Sequence, residues 1–225
     1  MKYLFKNGTV VSGRGTRRAD VLVENEKILQ VGRNLSDPLA RAIDVTGKLL
    51  MPGFIDAHTH FDLDVCNTTT ADDFDSGTKS AIRGGTTTIV ADPHEIVNVC
   101  GAQAVQYLLD ATENLPLNVY LMLPSSVPAT PFETNGADFT AADMAPFMAH
   151  PRVLGLGEVM CYPDVLAARQ TVLEKLALAA DAGKRADGHA PGLSGRELQA
   201  YAAAGIRTEH ECTTFAEAAE KLRAG

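Results

Sequence analysis

What most constrains this chain is a spacing. Runs rich in β-branched and apolar residues begin at Phe54, Thr86, Asn118, Val153 and Arg185, in steps of 32, 32, 35 and 32 residues, and a sixth begins at Ile206, 21 residues on. A strand, its crossover helix and the two loops take about 30 residues, so this period predicts βα units around a parallel sheet. Helices are expected between the strands, over residues 71–83, 101–113, 140–149, 167–182, 194–204 and from 214 onward. Ser194 with Glu197, and Thr214 with Glu217, have the spacing of a capping box. A closed (β/α)8 barrel needs eight such units. The expected fold class is therefore α/β, with an incomplete TIM-type barrel of six of the eight units over residues 53–225.

Residues 1–52 have a different texture. Short β-rich runs, Tyr3 to Val11, Asp20 to Val23 and Lys27 to Val31, are separated by Asn7-Gly8 and by Glu24-Asn25-Glu26, the punctuation of hairpins. Ile43 to Leu50 adds a strand that leads into Pro52-Gly53 and a short strand at Phe54-Ile55-Asp56, expected to be buried. Five short strands in about 50 residues bury little alone, so a small N-terminal β-layer, part of a composite sandwich, is expected.

The chemistry lies at the ends of the barrel strands. His58 and His60 follow the first strand, and alternate residues of a strand share a face, so both imidazoles point at one spot. Asp92-Pro93-His94-Glu95 follows the second strand, Glu158 ends the fourth, Asp187-Gly188-His189 follows the fifth and Glu209-His210-Glu211 the sixth. In a parallel barrel these ends open on one face, where barrel enzymes build their sites. Five of the six histidines fall there. His150, between a helix and the next strand, belongs to the opposite face and is expected to be structural. Imidazoles gathered about a carboxylate suit divalent metal ions, and Glu158 could bridge two of them about 3.5 to 4 Å apart. Such a pair lowers the pKa of a trapped water.

A net charge of −8 without a Lys/Arg cluster argues against nucleic-acid or membrane-surface partners and for a small-molecule substrate. Cys66, Cys100, Cys161 and Cys212 lack C-x-x-C spacing and read as reduced thiols. No apolar run approaches the length of a membrane span, and the first residues lack the apolar stretch of a signal peptide. A cytoplasmic protein is expected.

The run from Pro52 to His60 resembles the metal motif of the amidohydrolase superfamily, barrel hydrolases acting on C–N bonds. From about residue 84 to 225 the chain resembles the adenine deaminases, through Ile89 to Ile96, Leu117 to Ser125 with Val127 to Thr134, Val153 to Met160, Asp187 to Gly195 and His210 to Thr214. Residues 1–85, through Thr68 to Phe74, Gly77-Thr78 and Gly84 to Val90, look more like the dihydropyrimidinases and hydantoinases of the same superfamily. The first resemblance implies conversion of adenine and water to hypoxanthine and ammonia, with two divalent ions (Mn, Fe or Zn) as cofactors. It implies His58 and His60 on one ion, His189 and His210 on the other, and Glu158 bridging where many relatives carry a carbamylated lysine. His94 and Glu95 are implied as catalytic or substrate-side groups beside Glu158, and a homo-oligomer for the full-length protein. The alternatives are a cyclic amidase and an inactive metal-binding fragment. In both families a metal-binding aspartate comes from the last barrel strand, which this chain does not reach. The 225 residues alone are therefore expected to be inactive.

Overall fold

A computed structural model describes residues 1–225 apart from Cys66 and Pro131. The chain divides into two compact units, Met1–Gly53 and Phe54–Gly225.

In the first unit, β1 (Lys2–Ser12), β2 (Gly15–Glu24), β3 (Lys27–Gly32), β4 (Arg41–Asp44) and β5 (Leu49–Leu50) form one sheet of order β3-β2-β1-β4, with β5 also paired to β1. Asn7-Gly8 makes no hairpin. It lies inside β1 as an irregularity of the pairing with β2, where Asn7 takes a φ of 65°. The buried Asp20 carboxylate accepts the Asn7 N–H at 2.8 Å, which gives the irregular amide a partner, and the N–H of Leu35, beyond β3, at 3.0 Å. The expected strand from Ile43 to Leu50 is two strands.

The second unit starts with β6 (Phe54–Thr59), then the small ribbon of β7 (Asp64–Val65) and β8 (Thr68–Thr69). There follow α1 (Phe74–Gly84), β9 (Thr86–Ala91), α2 (His94–Cys100), α3 (Ala102–Ala111), β10 (Asn118–Leu123), α4 (Ala141–Met148) and β11 (Val153–Val159). The chain then runs through α5 (Tyr162–Leu166), α6 (Gln170–Asp181), β12 (Arg185–Gly188), α7 (Gly195–Ala203) and α8 (Phe215–Ala224). Five parallel strands, in the order β12-β11-β10-β9-β6, make a curled half-barrel. They begin at the five residues the spacing singles out. The sixth, at Ile206, is only an isolated parallel bridge to Ala186.

Between sheet and helices lies a core that includes Ile89, Leu121, Leu123, Leu156, Val159, Val97, Val105 and Met144, each contributing about 1.5 to 3 kcal/mol through burial. α6 presents Val172, Lys175, Leu176 and Ala179 to it, at the spacing of one helix face, so a lysine occupies a core position.

Several local expectations are corrected. Phe54 and Ile55 are 57% and 67% exposed, because among the described residues β6 is an edge strand with β9 as its one neighbour in the sheet. The helix expected over residues 167–182 starts later, at Gln170 as α6, after a turn in which Ala168 takes a φ of 51°, and a short helix the sequence did not suggest, α5, precedes that turn. Ser194 caps nothing with its side chain, whereas Thr214 accepts the Glu217 N–H. The reciprocal capping boxes are Asp73 with Ser76 and Thr140 with Asp143. Asp92-Pro93-His94-Glu95 is not a loop throughout, since His94 and Glu95 open α2. His150 sits in the turn before β11, where its Nδ1 accepts the Arg152 N–H at 3.1 Å. Cys100, Cys161 and Cys212 are free thiols; Cys66 lies outside the described residues. Among the described residues no helix is long and apolar enough to cross a membrane.

Candidate metal centre

Because the strands are parallel, the residues that end or follow β6, β9, β11 and β12 meet at one edge of the sheet. Glu158, 4% exposed, stands at the middle of that meeting point. His58 Nε2 lies 2.8 Å and His60 Nε2 3.2 Å from its Oε1, and His189 Nδ1 lies 2.8 Å from Oε2. His210 Nε2 is 3.8 Å and His94 Nε2 4.0 Å from Oε1. The His210 ring stacks on His58 with centroids 3.7 Å apart. All five strand-end histidines thus surround one carboxylate.

Hydrogen bonding on the far side of the rings sets their tautomers. His58 Nδ1 lies 3.0 Å from Asp187 Oδ2, and His60 Nδ1 2.9 Å from the Asp92 carbonyl. Burial would raise the Asp187 pKa, but bonds from His210, His58 and Thr208 outweigh it and hold the group well below the usual carboxylate range. A carboxylate and a carbonyl only accept, so both Nδ1 atoms carry hydrogen and both Nε2 atoms of the neutral rings present lone pairs. Those two atoms are 3.0 Å apart and both face Glu158 Oε1. Three acceptors aimed at one another need a cation among them, either a proton on an imidazole or a metal ion.

The titration behaviour has the same origin. Burial disfavours charge on His58, yet bonds to Asp187 and Glu158 prevail and raise its pKa to about 10. The bond to Glu158 likewise raises His60 and His189. Burial would raise Glu158 itself, but His189, His58 and His60 hold it far below the carboxylate range, so it stays ionised. His94 is pushed down, by burial and then by the charge of His60. His189 Nδ1 is buried and has no aligned hydrogen-bond partner although Glu158 is close. The donor set therefore fits a divalent cation. Three groups have donor atoms close enough together to hold one: His58, His60 and Glu158; Glu158, His189 and His210; and His58, Asp187 and His210.

The surroundings fix this geometry. Asp92, 2% exposed, accepts the Glu158 N–H at 2.7 Å, and burial followed by the Glu158 charge pushes its pKa up to about 7. Glycine at 157 leaves room for this contact, because a Cβ there would collide with the Asp92 carboxylate and force it to shift. Ser125 donates to the Glu158 carbonyl. Tyr201 on α7 accepts the His189 N–H at 3.0 Å and donates to the Val159 carbonyl at 2.8 Å. His94 and Glu95 sit at the rim, with His94 Nδ1 3.3 Å from Glu95 Oε1.

Sequence reasoning noted Asp187 but gave it no place in the site. Its spacing of two from His189 was the signal, the same alternate-residue relation that singles out His58 and His60. The support Asp92 gives to Glu158 and His60 had no signal, since those partners lie on other strands.

A parallel βα half-barrel that gathers histidines and carboxylates at the carboxyl ends of its strands defines a class of metal-site barrels. Within that class the chain belongs to the amidohydrolase family, whose profile matches residues 49–225. It is 44% identical to an adenine deaminase of Nitratidesulfovibrio vulgaris over 97% of this chain and 40% of that protein, and 50% identical to adenine deaminase 2 of Carboxydothermus hydrogenoformans over 81% of this chain and 30% of that one. The chain thus spans less than half the length of these curated relatives. Among solved structures, a D-hydantoinase superposes with a TM-score of 0.61 at 20% identity, and the dihydropyrimidinase of Brevibacillus agri with 0.61 at 22%; each match covers 92% of this chain and 57% of the other. At such identities the likeness is one of fold.

Proposed function

We propose that the chain carries the metal centre of an adenine deaminase, which converts adenine and water to hypoxanthine and ammonia. The observation that carries this reading is the closure of five imidazoles around the buried, ionised Glu158, in a chain 97% of which matches 40% of an adenine deaminase at 44% identity. His58 and His60 would hold one divalent ion (Mn, Fe or Zn), His189 and His210 a second, and Glu158 both. When bound, such ions supply a water of lowered pKa and draw charge from the ring.

The chain's own groups do the rest. Asp187 and Asp92 hold the His58 and His60 rings with Nε2 inward. Glu158 remains ionised and so serves as a ligand rather than a proton carrier. His94, whose pKa burial and then the charge of His60 push down, pairs with the half-exposed Glu95 at the rim, and this pair would move protons between water and the leaving amine. No lysine occupies residues 154–159, so metal loading needs no bicarbonate.

The test is ammonia release from adenine by the metal-loaded protein carrying this chain, with metal analysis alongside. Loss of turnover on chelation and recovery with added Mn, Fe or Zn are expected, without a bicarbonate requirement. Ring opening of dihydrouracil without ammonia from adenine would overturn the substrate in favour of a cyclic amidase. Binding of metal with turnover of neither substrate would overturn the activity.

A further inference from the structure

We propose that Lys221 is a positioning residue that clamps together the two segments carrying His189 and His210. The proposal rests on reading the histidine cluster as a metal centre, and it adds a part of the molecule that touches none of the ligands.

Lys221 lies on α8 and is 9% exposed. Its ammonium donates to the Ala190 carbonyl at 2.6 Å and to Glu217 Oε1 at 2.9 Å, and lies 3.2 Å from Glu209 Oε2. Three N–H groups thus meet three oxygens, one from each of three segments. Ala190 adjoins His189, Glu209 adjoins His210, and Glu217 belongs to the helix behind them. The carboxylates extend the clamp. Glu209 accepts the Ala190 N–H at 2.9 Å with one oxygen and the Glu211 N–H at 2.8 Å with the other, so it grips the backbone beyond each histidine. Glu217 accepts the Gly192 N–H at 2.7 Å and the Thr213 N–H at 3.1 Å, and Glu220 accepts the Gly195 N–H at 2.8 Å.

Neither segment has a ladder of its own here. His189 lies just past β12, and His210 lies beyond a single bridge. Burying one ammonium and two carboxylates is a poor route to stability, because desolvation offsets most of the attraction. Holding two irregular segments in one geometry is what such a hub does well, and outer groups that orient metal ligands are worth about 10- to 100-fold in metal affinity.

The sign of the charge makes the test decisive. Lys221→Met removes a positive charge near the cluster, so electrostatics alone would tighten cation binding, whereas loss of the clamp weakens it. Native protein, Lys221→Met and the milder Lys221→Gln are titrated with Co(II), following the visible ligand-field bands, with circular dichroism as the check on folding. The native protein is expected to take up two equivalents. In the variants one equivalent should weaken by about 10- to 100-fold while the other is unchanged. If Lys221→Met does not fold, Lys221→Gln is expected to show the same split to a smaller degree. Unchanged or tighter binding in a folded variant, or equal weakening of both equivalents, would overturn the clamp while leaving the metal centre intact. A native protein that takes up no cation would overturn the metal centre itself, and the clamp with it.

Discussion

His58 and His60 are held by the sheet, whereas His189 and His210 are held by what packs outside it. His58 belongs to β6 and His60 follows directly, so one strand fixes their separation. Two acceptors, the Asp187 carboxylate and the Asp92 carbonyl, then turn both rings inward. His189 and His210 come from segments without regular structure. Their positions depend on Tyr201 from α7 and on Glu209, Glu217 and Lys221 around α8. One half of the site is thus set by local geometry and the other by long-range polar contacts. Glu158 touches both halves at 2.8 Å on each side, and Asp187 also reaches both, 3.0 Å from His58 and 3.6 Å from His210.

The largest effect expected erases the difference between the halves. Glu158→Gln puts a neutral amide where both ions would need a shared anion, so metal analysis after gel filtration should find both ions lost. Two ions per chain in the folded variant would break the assignment. His189→Ala is expected to remove one ion and spare the other, and loss of both would show that the halves are not independent. Next comes Asp187→Asn, which keeps the shape but removes the charge that fixes the His58 tautomer. A fall of about 10- to 100-fold in metal affinity is expected, read by competition with a chelating dye. Gly157→Ala acts on the sheet-held half through Asp92. Its Cβ has no room beside that carboxylate, and overpacking should cost about 1 to 3 kcal/mol in denaturant unfolding. The smallest effect belongs to a control remote from both halves. Lys79→Ala breaks an exposed pair with Asp75 at 2.5 Å, for which a change within about 0.5 kcal/mol and unaltered metal content are expected.

Legibility from sequence follows the same division. The five strand starts were legible because βα units repeat at nearly constant length, and the two strand-borne histidines because alternate residues share a face. Glu158, His189 and His210 were legible as strand-end polar residues, and the fold does bring them within reach of one another. The turn at Ala168, which delays the start of α6 to Gln170, was not, since a single residue of positive φ leaves no mark on hydrophobic periodicity. Nor was the start of α2 at His94, where the preceding proline reads equally as a turn.

The linear order of residues determined which side chains would stand at the carboxyl edge, because strand period and strand direction are local properties that propagate along a parallel sheet. Tertiary structure alone decided how those side chains face one another. The tautomers of His58 and His60 depend on Asp187 and Asp92, which lie 129 and 32 residues away along the chain. The segments of His189 and His210 depend on a lysine that joins three elements. Hydrogen bonds between charged and polar groups act over a few ångströms of space, and no pattern along the chain encodes that proximity until packing creates it.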